Sequence, residues 1–315
     1  MNQKLSLNFH HLQHFLAIAD HGSLRAAAQR LGLSQPALSK SLRALESALG
    51  APLIQRNPRG TSLTPVGELF LSRARLIENE IIRTTHEIQA LSGSHVNHVT
   101  IGASAIPSIL IVPKAVARFR QQHPGVELDL IGGMPSLLLP RLIDGSLDFI
   151  VGPRSTEPIP DSVETTPLMK LRVNIVVRKG HPLECLKSLS DFAQAQWVVS
   201  SNSSYAREKI QSILRGRSLS NPMPYIRVDS LFALLSFIKN TDFIGIVPYI
   251  ENSTDLYGRD ISVLKIDEMD MFEEYQLFFR RNYVKSQLSM HLIASLQAEA
   301  QLYSQAEAHT DRSPT

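Results

Sequence analysis

Two short helix-forming runs, cut apart by a single glycine, constrain this chain more than any other feature. Leu24 to Leu31 contains Ala26-Ala27-Ala28 and follows Ser23, a hydroxyl suited to capping a first turn. Gly32 ends that run. Ser34 caps a second one reaching about Leu49, with Pro36 tolerated in its first turn. Gly32 lies four residues after Ala28 and supplies the positive φ of a tight interhelical turn, while Ala28 is small enough for two helices to cross closely. Leu31, Leu33 and Leu38 are the expected anchors onto a preceding helix. There Phe9, Leu12, Phe15, Leu16 and Ala19 recur at helical spacing before Gly22. This is a helix-turn-helix pattern, and its second helix turns Gln35, Ser39, Lys40 and Arg43 outward. Such side chains can read base edges or hold phosphates in a major groove. A plain helical hairpin with a solvated face shares much of the pattern, so charge matters.

The charge is asymmetric. Residues 1–64 hold seven basic side chains (Lys4, Arg25, Arg30, Lys40, Arg43, Arg56, Arg59) against Asp20 and Glu46, although the whole chain is only +3. A positive excess at one end of an otherwise near-neutral body is the electrostatic footprint of a nucleic-acid-binding module. At 315 residues the chain is too long for one compact core. It has no apolar run long enough to span a bilayer, and its N-terminus lacks the apolar stretch of a secretory signal. The single cysteine, Cys185, cannot form an internal disulfide and reads as a structural or surface thiol. A cytoplasmic protein is expected.

Residues 52–64 read as a small hairpin, with Leu53-Ile54 and Ser62-Leu63 as strands around Asn57-Pro58-Arg59-Gly60. Thr64-Pro65 then starts a helix as cap and first residue. Along it Phe70, Ala74, Ile77, Ile81, Thr84, Ile88 and Leu91 follow 4-3-4-3-4-3 spacing. That is a heptad seam for self-association, preferred over an amphipathic helix packed on its own domain because it follows the basic module directly. Ser92-Gly93-Ser94-His95 is a linker.

Beyond it strands and helices alternate: Val99–Ala103, a helix to Gln122, Val126–Ile131, a helix around Pro135–Asp144, and Leu147–Val151. A second series has strands Arg172–Arg178, Trp197–Ser200, Tyr225–Val228, Phe243–Val247 and Ile261–Ile266. Its helices lie near Tyr205–Arg215 and Ser230–Lys239. Strand Tyr275–Arg280 and helix Ser286–Ala300 close the chain. The reading is α/β, with a mostly parallel sheet covered on both faces.

Here a family resemblance becomes specific. Phe15-Leu16-Ala17-Ile18-Ala19, Gly22-Ser23-Leu24, Ala26-Ala27-Ala28, Ser34-Gln35-Pro36-Ala37-Leu38-Ser39, Leu45-Glu46 and Leu49-Gly50 resemble the LysR-type regulator signature. So do Pro52-Leu53, Arg56, Arg59-Gly60, Leu63-Thr64-Pro65 and Gly67. The resemblance continues more loosely through Asp144-Gly145, Leu147-Asp148-Phe149-Ile150, His181-Pro182-Leu183 and Gly245-Ile246-Val247-Pro248. It implies a winged helix-turn-helix over 1–64, a dimerising linker helix over 65–93 and an effector-binding domain over 94–303, with 304–315 a flexible tail. The implied effector domain has the two-lobed type 2 periplasmic-binding-protein architecture, lobe one spanning 95–168 plus 273–303 and lobe two 169–272. DNA contacts are implied for Ser34, Gln35, Pro36, Ser39, Lys40 and Arg43, and phosphate contacts for Arg56 and Arg59. Lys40 stands where many members carry arginine, and a lysine cannot hold guanine bidentately. Implied partners are double-stranded DNA as an interrupted palindrome, RNA polymerase, a small-molecule effector and further copies in a dimer or tetramer. The Gly22–Ala28 run and Gly133-Met134-Pro135 are similar to members sensing sugars or aromatic sulfonates.

A crevice at strand C-termini between two lobes is the expected ligand position. Candidate lining residues are Ser104, Ile106, Met134, Pro153, Arg154, Ser200, Ser201, Asn202, Ser203, Phe232 and Pro248. Each equally fits a loop polar group, helix cap or wall. Backbone N–H groups near Ser104 favour an anionic effector, and no cofactor or metal is expected. The rivals are an enzyme and a transport receptor sharing the two-lobed fold. No phosphate-binding loop, strand-linked GxGxxG, nucleophile elbow or paired metal-ligand motif supports an enzyme. His10 and His14 lie one turn apart with no carboxylate or cysteine beside them, and read as solvated helix histidines.

Overall fold

A computed structural model of the chain describes residues 8–57, 60–91, 98–155, 157–188, 192, 195–200, 225–248, 257–264, 266 and 271–310. Two compact units form, Met1–His98 with Pro140–Leu147, and Val99–Leu139 with Asp148–Thr315.

The first unit follows local chemistry closely. Helices α1 (Phe9–His21), α2 (Leu24–Leu31) and α3 (Gln35–Leu49) begin at Asn8, Ser23 and Ser34, each accepting a first-turn backbone N–H. All three stop at a left-handed glycine, Gly22, Gly32 and Gly50, where a side chain would be strained. Leu12, Phe15, Leu16, Ile18, Ala27, Ala28, Leu38, Leu42 and Leu45 close into one core. Complete burial of residues such as Phe15 and Leu38 stabilises by about 2–3 kcal/mol each. Leu33 is the exception among the expected anchors. It is substantially exposed because it follows the Gly32 turn rather than lying on a helix's inner face.

Strands β1 (Ile54–Asn57) and β2 (Gly60–Leu63) form an antiparallel hairpin pairing Ile54 with Leu63. Glu46 fastens it to α3, its carboxylate accepting from the Leu53 N–H at 2.8 Å and the Ile54 N–H at 3.2 Å. Helix α4 (Pro65–Leu91) starts at Thr64, whose hydroxyl accepts from the Gly67 N–H at 2.9 Å. Its first turns pack on the same core, which takes Ala74 out of the expected seam. Ala74 is wholly buried, and Phe70 packs edge-on against Phe15 with ring centroids 5.1 Å apart. Ala74 is closed off from any partner chain and Phe70 gives part of its surface to its own domain, because a helix leaving a small domain first covers that domain's open face. Ile77, Ile81, Thr84 and Ile88 are exposed, as are Val66 and Leu69; the Leu91 side chain lies outside the described residues.

Among the described residues, the second unit is built on a nine-stranded sheet, ordered β4-β3-β5-β11-β6-β9-β7-β8 with β10 paired to β6. The strands are β3 (His98–Ala103), β4 (Glu127–Gly132), β5 (Phe149–Pro153), β6 (Val163–Arg178), β7 (Trp197–Ser200), β8 (Tyr225–Val228), β9 (Ile244–Pro248), β10 (Ile261–Leu264) and β11 (Phe272–Arg280). Helices α5 (Ala105–Leu110), α6 (Val112–Gln122), α7 (Pro135–Ile143), α8 (Leu231–Asn240) and α9 (Gln287–Thr310) accompany them. The sheet is mixed rather than mostly parallel: β3 with β5, and β7 with β8 and β9, run parallel, while β6, β10 and β11 pair antiparallel.

The expected strand at Arg172–Arg178 is the latter part of a 16-residue strand. Its residues Val163 to Arg172 pair with β11, and Val173 to Val176 pair with β9. One strand thus passes from one half of the sheet to the other. Strand alternation puts Val173, Ile175, Val177, Trp197, Val199, Ile244 and Ile246 in one core, and Val176, Val198 and Val247 in another. Helix α9 runs to Thr310, so residues 304–310 are helical rather than part of a loose tail. The expected helix near Tyr205–Arg215 lies outside the described residues.

Candidate functional site

The first candidate surface is the outer side of α3. A 3.6-residue period with Leu38, Ser41, Leu42 and Leu45 buried leaves Gln35, Pro36, Ala37, Lys40, Arg43 and Ala44 exposed. The Ser34 hydroxyl accepts from the Ala37 N–H at 3.3 Å, which ties it to capping. Ser39 is half-buried, and its carbonyl accepts from Arg43 Nε at 3.3 Å, holding that guanidinium along the helix. Ser41 faces inward and bonds His14 Nδ1 at 2.7 Å, coupling α3 to α1. The surface therefore offers an amide, an ammonium and a guanidinium separated by small residues that allow close approach. Arg25 and Arg30 are exposed on α2. The Arg56 side chain and all of Arg59 lie outside the described residues.

The second candidate is a cavity in the second unit, of about 80 Å³, room for a few waters or a small organic molecule. Ser104, Ile106, Met134, Pro153, Ser200 and Pro248 line it, as the sequence suggested. Two expected residues do not. Phe232 is 87% exposed, because the α8 face that meets the sheet carries Leu231 and Leu234 instead. Arg154 lies away from the lining, its guanidinium 3.2 Å from Glu274 and its N–H bonded to the Glu274 carbonyl. Ser201, Asn202 and Ser203 lie outside the described residues.

Asp229, Glu273 and Tyr275 are lining residues that sequence reasoning missed. Glu273 and Tyr275 stand two apart on β11 and share a face, with the Tyr275 hydroxyl donating to Glu273 at 2.5 Å. Burial pushes the Glu273 carboxyl above its ordinary range, the tyrosine bond opposing this in part; burial also raises Tyr275. Glu274 points the other way. Hydrogen bonds from Lys170, at 2.7 Å, and from Arg154 hold its carboxyl below the ordinary range. Ser104 precedes α5 as its N-cap residue yet makes no side-chain capping bond, and its hydroxyl is buried without a partner among the described residues. The period-2 signal around β11 was available in the sequence, but not which of two adjacent glutamates would turn inward.

Among the described residues, no group of three or more histidine, cysteine, aspartate or glutamate side chains is placed to hold a metal ion. Likewise, no helix there is long and apolar enough to cross a membrane.

Comparison with known proteins addresses both regions. Residues 9–68 match the family model "Bacterial regulatory helix-turn-helix protein, lysR family", and residues 92–301 match "LysR substrate binding domain". HTH-type transcriptional regulator TdcA of Escherichia coli (strain K12) is 27% identical over 275 residues, 87% of each chain. The SDS degradation transcriptional activation protein of Pseudomonas sp. (strain ATCC 19151) is 38% identical over 173 residues, covering 55% of this chain and 56% of that one. The full-length CbnR structure complexed with its target DNA superposes with a TM-score of 0.68 at 19% identity, covering 93% of this chain and 100% of that one. At that identity the likeness speaks for the fold.

Proposed function

The chain belongs to the LysR family of transcriptional regulators, DNA-binding proteins with an effector domain, and from that premise we propose how its parts divide the work. Residues 1–64 grip duplex DNA, 65–93 pair two chains and 94–303 sense a small molecule. The α3 row Gln35, Lys40 and Arg43 enters a major groove, Gln35 reading a base edge and Arg43 holding a phosphate. Arg56 and Arg59 follow the backbone from the hairpin. Pairing along Ile77, Ile81, Thr84 and Ile88 presents two such helices to an interrupted palindrome, and pairs assemble into tetramers. An effector in the Ser104–Tyr275 cavity favours one arrangement of the sheet's two halves, respacing the DNA-binding ends and altering contact with RNA polymerase. The regulator acts in the cytoplasm and carries out no catalytic step.

One observation carries this reading: the side of α3 left exposed by the core is the side that carries amide, ammonium and guanidinium groups. Salt-dependent binding of the full chain to duplex DNA tests it. Arg43→Ala should weaken all sites and lower the salt slope by about one, whereas Gln35→Ala should relax preference at one position by about 1–3 kcal/mol. Equal loss at every sequence for Gln35→Ala would remove its reading role.

A further inference from the structure

Two adjacent glutamates on β11 meet opposite fates. Glu274 faces outward and is answered by Lys170 and Arg154. Glu273 faces the cavity, where the one hydrogen bond that reaches it among the described residues comes from Tyr275, itself 2% exposed. The described lining contains Asp229 as a second carboxyl group and no lysine or arginine. Ser104 adds an independent sign of a ligand. It is 3% exposed, its hydroxyl lacks a partner among the described residues, and it leaves its own helix uncapped while lining the same cavity. A buried hydroxyl left in this state costs free energy unless something else bonds to it.

Position gives Glu273 leverage. It pairs with Leu171, two residues before the point where β6 passes from β11 to β9. A ligand bonded to Glu273 therefore acts where the two halves of the sheet join.

We propose that Glu273 is the specificity-determining residue of the cavity, selecting a small effector that presents an ammonium group, with the Ser104 hydroxyl as a second contact. The inference rests on the regulator reading above, and it replaces the expected anionic effector with a cationic or zwitterionic one. A simple carboxylate would find no lysine or arginine among the described lining residues. An ammonium instead supplies the charge partner that Glu273 lacks among the described residues.

Binding is then linked to protons. Burial raises the uncomplexed Glu273 carboxyl above its ordinary range, so around that raised value capturing an ammonium releases protons and affinity rises with pH. The other titratable groups around it are Tyr275 on its own strand, Tyr257 ahead of β10 and Asp229 after β8; Tyr303 on α9 acts on Tyr257. Both Tyr275 and Tyr257 are shifted upward and stay protonated, so neither competes with Glu273 as the responding group.

The test uses the full chain with three probes of similar size, namely ethanolamine, ethylene glycol and glycolate, titrated calorimetrically at several pH values. Ethanolamine should bind about tenfold or more tightly than glycolate, with affinity rising with pH and protons released. Glu273→Gln, which can still accept from Tyr275, should abolish that preference and the proton release while leaving glycolate binding equal or improved. Preference for glycolate, equal affinity for all three, no ethanolamine binding at any attainable concentration, or an unchanged order in Glu273→Gln would each overturn the proposal. Duplex DNA binding is measured on the same samples. Its loss would undo the regulator reading, whereas its retention without an ammonium preference would undo only the role of Glu273.

Discussion

Removing the Glu46 carboxylate should loosen the hairpin more than it harms the helices. Its Oε1 atom accepts two backbone N–H groups, from Leu53 at 2.8 Å and Ile54 at 3.2 Å, bridging α3 to the entry of β1. Hydrogen bonds to a charged acceptor contribute about 1.5–3 kcal/mol each. Glu46 is half-buried, so water replaces part of that, and the longer bond counts for less. A net loss of about 2 kcal/mol for Glu46→Ala follows, and because each 1.4 kcal/mol is tenfold, local opening should increase by about 30-fold. Glu46→Gln keeps an acceptor without the charge and should cost about half as much. Amide hydrogen exchange of the full chain reads both variants at Leu53 and Ile54, with α2 amides as an internal control. Unchanged exchange at those two amides in Glu46→Ala would refute the bridge. Equal damage by Gln and Ala would refute the part assigned to the acceptor.

Other outcomes follow from the same unit. At Gly67 a Cβ would lie 2.0 Å from the Leu53 carbonyl oxygen, a backbone atom with little room to move. Alanine favours a helix over glycine by about 1 kcal/mol, but the clash costs about 1–3 kcal/mol or more, so Gly67→Ala should lower the melting temperature and weaken DNA binding. A melting temperature equal to or above wild type would show that the approach is not tight. Burial, reinforced by His10 and His11, holds the His14 imidazole below its ordinary value of 6.5. Between the lowered folded value and 6.5 the unfolded chain binds more protons, so His14's contribution is fully present above 6.5 and is lost as pH falls through the folded value. Thermal unfolding of wild type and His14→Gln from about pH 7.5 to about pH 5.5 should show wild type losing more on acidification; parallel curves would contradict this.

The N-terminal region was legible because its instructions are local. Ser23 with Gly32, Ser34 with Gly50, and Thr64 with Pro65 begin or end helices within a few residues, and those bounds appear where they were expected. The heptad on α4 misled at Phe70 and Ala74 for a complementary reason. A 3.5-residue period marks an apolar stripe but not whose core the stripe meets, and the first two positions meet their own domain. Among the cavity residues, Ser104, Met134 and Pro248 were accessible from strand ends, whereas Phe232 and Arg154 lie outside its lining. Helix phase turned Phe232 outward, and Glu274 drew Arg154 away.

Sequence alone determined the helix-turn-helix, the placement of positive charge and the alternation of strands and helices, since caps, glycine turns and residue periods act over short stretches of chain. Only the tertiary structure decided that β6 serves both halves of the sheet and that Glu273 turns toward the cavity while Glu274 turns toward Lys170 and Arg154. Strand register depends on partners about a hundred residues away in the chain, and a shift of one residue exchanges the faces of every side chain. Two identical neighbouring residues carry no local mark of which will face the cavity.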